Sequence, residues 1–191
     1  MLALDQIRLE RAGPDFPRLA ELLALIRRAF APMDGAIDPP SSVHRLDEEG
    51  LRRKCAEETA LVAFSGDRLA GCAFLAERAD HFYLGKLAVD PKLHGMGVAR
   101  RLVTEAERIA IAAGKPVLEL QTRVELSSNH ATFARLGFGG INPYSPSNGG
   151  MMNLAPDQYS SVGGANWLPT TEYNNVWDFI QNISINKGTH A

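Results

Sequence analysis

Cysteine is scarce: Cys55 and Cys72 are the only two in 191 residues, and they lack the close spacing of a metal-ligand set. A disulfide framework is thereby excluded, and in a reducing compartment both thiols read as small packing residues. A basic excess is missing too, since 20 Lys and Arg oppose 22 Asp and Glu for a formal net charge of −2. With the cations dispersed, there is no electrostatic footprint for nucleic acid or an anionic membrane. No apolar run approaches the length that spans a bilayer, and acidic Asp5 stands where a targeting segment would carry cations. The expected location is cytoplasmic. What is present is an ordinary 45% hydrophobic content, enough for one domain with a sizeable core followed by a tail.

The richest stretch is Val89 to Leu102, VDPKLHGMGVARRL. Proline at 91 stops an extended segment because it donates no ladder hydrogen bond and biases its predecessor away from helix. A helix is expected from Val98 to Ala113, with Val98, Leu102, Ala106, Ile109, Ala110 and Ala113 on its apolar face. Its first amides lack intrahelical acceptors and sit at the positive end of the helix dipole, so they suit an anion. Gly95 and Gly97 let that backbone approach a ligand closely.

Around this loop, Ile7 to Leu9 begins a strand, and Asp15 is placed to cap a helix carrying Leu19, Leu22, Leu23, Ile26, Ala29 and Phe30. Pro32 to Ser42 reads as a loop, and a second helix starts at Asp47 with Leu46 and Leu51 as a hydrophobic staple. Ala60–Phe64 and Leu69–Leu75 flank Ser65-Gly66-Asp67-Arg68 as a hairpin. His81–Val89 and Val117–Thr122 are further strands, long enough apart for a parallel crossover, and Ser127 or Ser128 is available to cap a helix ending before Gly137. Beyond Phe138 the composition changes: every asparagine but Asn129 lies there and every arginine lies before it. Gly139 to Gly164 reads as loop, and Tyr173, Val176, Trp177, Ile180 and Ile183 have the spacing of a short amphipathic helix.

YLGKLAVDP, the loop after it and LELQTRVELSSNHATFARLGF together resemble the GCN5-related N-acetyltransferase (GNAT) superfamily over roughly Ile7 to Phe138. The family's loop reads Gln or Arg, two residues, Gly, one residue, then Gly or Ala. Here His94, Gly97 and Ala99 fill those places, and His94 departs from the pattern. The resemblance implies an α/β fold whose mixed, mostly antiparallel sheet splays between its fourth and fifth strands and is flanked by helices. Residues 1–155 would form that domain and 156–191 an atypical tail, read as foreign to the ancestral domain through fusion or a shifted frame. Two antiparallel strands normally close the family's sheet, and 138–141 and 150–154 could be short versions of them.

The resemblance further implies acetyl-CoA as co-substrate, with no metal. Its pantetheine would pair with backbone at Leu87, Ala88 and Val89. Its pyrophosphate would take amides from Gly95, Met96, Gly97, Val98, Ala99 and Arg100, with His94 at the loop's edge. The Arg100 and Arg101 side chains read as a solvated face. Asn129 matches the family's asparagine near the CoA arm, although helix-cap chemistry would also explain it. Phe133 stands where many relatives have a tyrosine that protonates the departing thiolate. Base candidates are Glu119 and Tyr83 on the two splayed strands and Glu125 just beyond, with a water chain as the alternative.

The implied function is acetyl transfer to the amine of a small molecule or a protein, with no nucleic-acid or membrane partner and a homodimer compatible with it. Phe133 and the altered C-terminal end motivate an alternative, a non-catalytic acyl-CoA-binding or interaction module. A marginally stable product with an incomplete sheet edge is a third reading. Asp34, Asp38 and His44 border the expected acceptor site, and their acidity leans toward a cationic amine.

Overall fold

The computed structural model describes residues 7–37, 40–115, 117–123, 126–138 and 182–188. In chain order the elements are β1 (Ile7–Ala12), α1 (Leu19–Phe30), α2 (Glu48–Glu57), β2 (Thr59–Ser65), β3 (Arg68–Glu77), β4 (Phe82–Val89), α3 (Val98–Ala112), β5 (Val117–Arg123), α4 (Ser127–Arg135) and β6 (Asn182–Gly188). The strands form one sheet in the order β1-β2-β3-β4-β5-β6. All neighbours are antiparallel except β4 and β5, which α3 joins as a parallel crossover. The mixed α/β architecture expected from the motifs is therefore present.

Alternation along the strands divides the core between the two faces of the sheet. Leu61, Ala63, Ala73 and Leu75 pack with Val98, Leu102, Ala106 and Ala110 of α3. Val62, Phe64, Cys72 and Phe74 pack with Leu22, Ile26 and Leu51 of α1 and α2. Burying each large side chain of this kind contributes about 1.5–3 kcal/mol. Close approach of α3 to the sheet depends on Gly71, where an added Cβ would lie 2.7 Å from the Ala88 carbonyl and 3.0 Å from Val98 Cγ1.

Helix starts follow local chemistry with two exceptions. The Asp47 carboxylate caps α2 by accepting from the Gly50 amide at 2.7 Å. Asp15, expected to cap α1, does not: the helix begins at Leu19, with Arg18 at its cap and no side-chain cap bond. Pro17 disfavours helical backbone at Phe16 and keeps the helix from reaching back to Asp15. Arg18 is instead held by Glu21 at 2.7 and 2.8 Å and by the Asp67 carbonyl at 2.8 Å. α4 starts at Ser127 with Leu126 at its cap position and no side-chain cap bond, so the expected caps lie inside the helix.

The expected strands at 138–141 and 150–154 and the amphipathic stretch from Tyr173 through Ile180 fall outside the described residues, Phe138 apart. Ile183 is described, and it lies in β6 rather than in a helix. Residues 182–188 pair antiparallel with β5, from Asn182 opposite Arg123 to Gly188 opposite Val117. Such a ladder satisfies the β5 edge that would otherwise present unpaired amides and carbonyls.

Candidate active site

Parting of β4 from β5 creates the site. The strands pair only at Phe82 with Leu118 and Tyr83 with Glu119, so beyond Tyr83 the β5-facing edge of β4 has no strand partner among the described residues. On its other edge, β4 carries a bulge. Cys72 faces Ala88 and Phe74 faces Gly85, leaving Lys86 and Leu87 opposite Ala73. Lys86 is the only non-glycine residue at positive φ, +48°, among the described residues, a sparsely populated conformation for a side-chain-bearing residue. The Cys72 thiol donates to its carbonyl across 3.8 Å. Burial pushes that thiol far above its ordinary range, so Cys72 stays neutral.

A cavity of about 320 Å³ opens where the strands part. Phe30, Met33, Ile37 and Pro40 form an apolar wall; Tyr83, Lys86 and Leu87 come from β4, Gln121 and Thr122 from β5, and Asn129 and Phe133 from α4. The Thr122 hydroxyl oxygen is buried without a hydrogen-bond partner among the described residues, a polar group that a ligand amide or carbonyl could satisfy. Phe133 meets Phe138 edge-on with ring centroids 6.1 Å apart.

Next to the cavity strand, the loop into α3 is fixed by Asp90. This carboxylate is 3% exposed, accepts from the Lys92 amide at 2.9 Å and from Arg68 at 2.9 Å, and lies 3.5 Å from Arg28. Burial alone would raise its pKa, but the amide and the two guanidiniums outweigh burial and hold it below the ordinary carboxylate value. Gly95 at φ +77° and Gly97 at +83° then turn the chain into α3. The amides of Gly97 to Arg100 precede the first helical bond, from the Arg101 amide to the Gly97 carbonyl. His94 and Arg100 are exposed, Val98 is buried so that only its backbone faces the loop, and Met96 packs on the core.

The anticipated residues thus fall into two groups. His94 through Arg100 gather at the start of α3, while Leu87, Asn129, Phe133 and Tyr83 share the cavity wall. Ala88 and Val89 sit between the groups, paired on their other side with Cys72 and Gly71. Glu119 is not in the cavity wall; it lies at the paired end of β4 and β5, with one carboxylate oxygen 3.4 Å from His81 Nε2. Glu125 is outside the described residues. Tyr83 is raised above its ordinary pKa, first by burial and then by the Glu119 and Glu58 carboxylates, so it remains a phenol at neutral pH.

Lys86 and Thr122 lie inside the family-like segments and Ser42 and Arg45 outside them, but none is marked there as a site residue, and the fold brings all four to this wall. Asp34, expected to colour the acceptor site acidic, is bound to His44 at 2.7 Å and does not line the cavity. Among the described residues no group of three or more candidate metal ligands exists, and no helix is long and apolar enough to cross a membrane.

Comparison with known proteins agrees with this geometry. The acetyltransferase (GNAT) family model matches residues 20–138. An IAA acetyltransferase of Azospirillum brasilense is 30% identical over 145 residues, covering 75% of this chain and 91% of that protein. A mycothiol acetyltransferase of Rhodococcus jostii (strain RHA1) is 32% identical over 130 residues, 66% of this chain, and the chain spans only 39% of that relative's length. PaiA N-acetyltransferase from Thermoplasma acidophilum, solved in complex with coenzyme A, shares the fold at a TM-score of 0.67 and 14% identity, covering 96% of this chain and 99% of that one.

Proposed function

The chain belongs to the acetyltransferase (GNAT) family, and from that premise we propose that it moves the acetyl group of acetyl-CoA to the amine of a small molecule or an exposed protein amine. The observation that carries the reading is the parting of β4 from β5 after Tyr83, beside the unpaired amides at the start of α3. An elongated ligand with a phosphate at one end and amides along its arm suits that combination. The buried Thr122 hydroxyl, without a hydrogen-bond partner among the described residues, fits it further.

Bound acetyl-CoA supplies an activated thioester with a thiolate leaving group. Amides of Gly95 and of Gly97 to Arg100 hold its pyrophosphate, the Met96 amide being taken by the Leu93 carbonyl at 3.2 Å; backbone at Leu87 to Val89 orients its arm, and Asn129 and Phe133 line the same passage. A backbone amide near the bulge donates to the thioester oxygen as charge develops there. The attacking amine must be neutral. Tyr83, kept as a phenol, serves as a hydrogen-bond donor, and the amine proton leaves through water. Phe133 cannot protonate the departing sulfur, yet a thiol with pKa near 8.5 leaves acceptably as thiolate.

The test uses the purified full chain. Acetyl-CoA should raise its Tm, since a ligand at a hundredfold excess over Kd stabilises by about 2.7 kcal/mol, and free thiol should appear with at least one member of an amine panel. No stabilisation at millimolar acetyl-CoA overturns the proposal. Phe133 favours a second reading, a non-catalytic acyl-CoA-binding module, which predicts stabilisation with no thiol release across the panel.

A further inference from the structure

Charge in the cavity wall is one-sided. Lys86 and Arg45 are its only charged side chains among the described residues, and no described carboxylate lines it. Lys86 is half-buried on the β4 bulge. Its ammonium donates to the Ser42 hydroxyl at 2.8 Å and stands 5.8 Å from the centre of the Phe30 ring. Neither partner is an anion, so two of its three protons remain for something else. Burial disfavours its charge, as does Lys54, while Glu58 partly offsets them from its ion pair with Lys54. Arg45 is exposed at the cavity mouth and has no ion pair or hydrogen bond with a described residue. Two cations that line one cavity and have no anionic partner within hydrogen-bond or ion-pair distance among the described residues constitute a site for an anion.

Resting on the acetyltransferase reading, we propose that the acceptor is an amine bearing a carboxylate on an apolar body. The carboxylate is held by Lys86 and Arg45 with the Ser42 hydroxyl beside it. Phe30, Met33, Ile37 and Pro40 take the apolar body. Of the acidic loop that leans toward a cationic amine, Asp34 is bound to His44 and does not line the cavity, and Asp38 lies outside the described residues. The two cations also disfavour an ammonium nearby and so raise the fraction of free amine. Transfer then balances: the amine nitrogen bonds the acetyl carbon, the carbon–sulfur bond breaks with its electrons on sulfur, and the amine proton goes to water.

The test compares phenylalanine with phenylalaninamide and leucine with leucinamide, following thiol release by the full chain and expressing kcat/KM per concentration of free amine. The acids should be favoured by about tenfold or more, the worth of a charge-assisted contact. Arg45→Gln and Lys86→Met should each bring the ratio toward one, whereas Arg52→Gln, which removes the ion pairs to Glu48 and Glu49 on α2, should leave it unchanged. Should no panel amine turn over, the CoA-saturated protein is titrated with N-acetylphenylalanine and its amide. Tighter binding of the acid that Arg45→Gln abolishes supports the proposal; equal binding or a tighter amide overturns it. Preference for the amides with acetyl-CoA stabilisation intact overturns the acceptor assignment alone, and absence of acetyl-CoA stabilisation overturns both.

Discussion

The Lys86 ammonium donates to the Ser42 hydroxyl at 2.8 Å, joining a bulge in β4 to the turn before α2 across 44 residues of chain. Both residues line the cavity. Lys86 has a positive φ, and its carbonyl accepts from the Cys72 thiol at 3.8 Å. Strained backbone of this kind persists only where surrounding contacts over-determine it.

Tyr83 and Glu119 face each other in register but should differ in importance. Tyr83 lines the cavity and Glu119 does not. Tyr83→Phe should lower kcat by about a hundredfold to a thousandfold, as loss of one positioned donor does, while the acetyl-CoA Tm shift persists. Glu119→Gln should change kcat by less than about threefold, within the small effect expected for a group outside the reacting site. Steady-state kinetics on the two variants decides between them.

Gly97→Ala should weaken acetyl-CoA binding. The left-handed φ of +83° at this position costs a residue with a Cβ about 1–2 kcal/mol. Gly114, at φ +70° beyond the far end of α3, serves as the control: Gly114→Ala should destabilise the fold comparably yet leave acetyl-CoA affinity intact. Calorimetric titration and thermal melts read the two effects separately.

Gly71→Ala should destabilise the fold by about 1–3 kcal/mol through overpacking. The nearest obstacle to its Cβ, at 2.7 Å, is the Ala88 backbone carbonyl rather than a movable side chain. Urea denaturation at fixed pH measures the loss, and a variant as stable as the parent would contradict the tight packing of α3 on β3.

Asp90 predicts an acid-side loss of stability. Because its carboxyl is held below the ordinary value in the folded state, its contribution is fully present above the unfolded pKa of about 3.9 and disappears as pH falls through the folded value. Asp90→Asn should be less stable at pH 7 by about 1–3 kcal/mol, the range for a buried charged hydrogen bond, and should lose this pH dependence. Denaturation midpoints from pH 3 to 7 test both statements.

Much of the fold is legible in the order and spacing of the residues. Leu102, Ala106 and Ala110 recur at helical spacing and do face the sheet; Gly66 and Asp67 make the two-residue turn between β2 and β3; Gly95 and Gly97 adopt the positive φ their loop requires. Asp15 misleads because the nearby Pro17 acts on backbone that capping chemistry alone does not consider. Ser127 and Ser128 mislead because α4 begins at Ser127 from Leu126, which places both serines inside the helix.

Sequence by itself thus determined the order of the elements from β1 to α4 and the loop from Asp90 to Gly97, because periodicity and turn chemistry act within a few residues, and its motifs carried the resemblance to the family. Tertiary structure alone decided that Lys86 and Arg45 share a cavity, that Glu119 lies outside it and that residues 182–188 pair with β5. Those outcomes depend on strand register, on one bulged residue and on contacts between distant segments. A shift of one residue in pairing turns every side chain of a strand to the other face, and nothing within a short window of sequence specifies that choice.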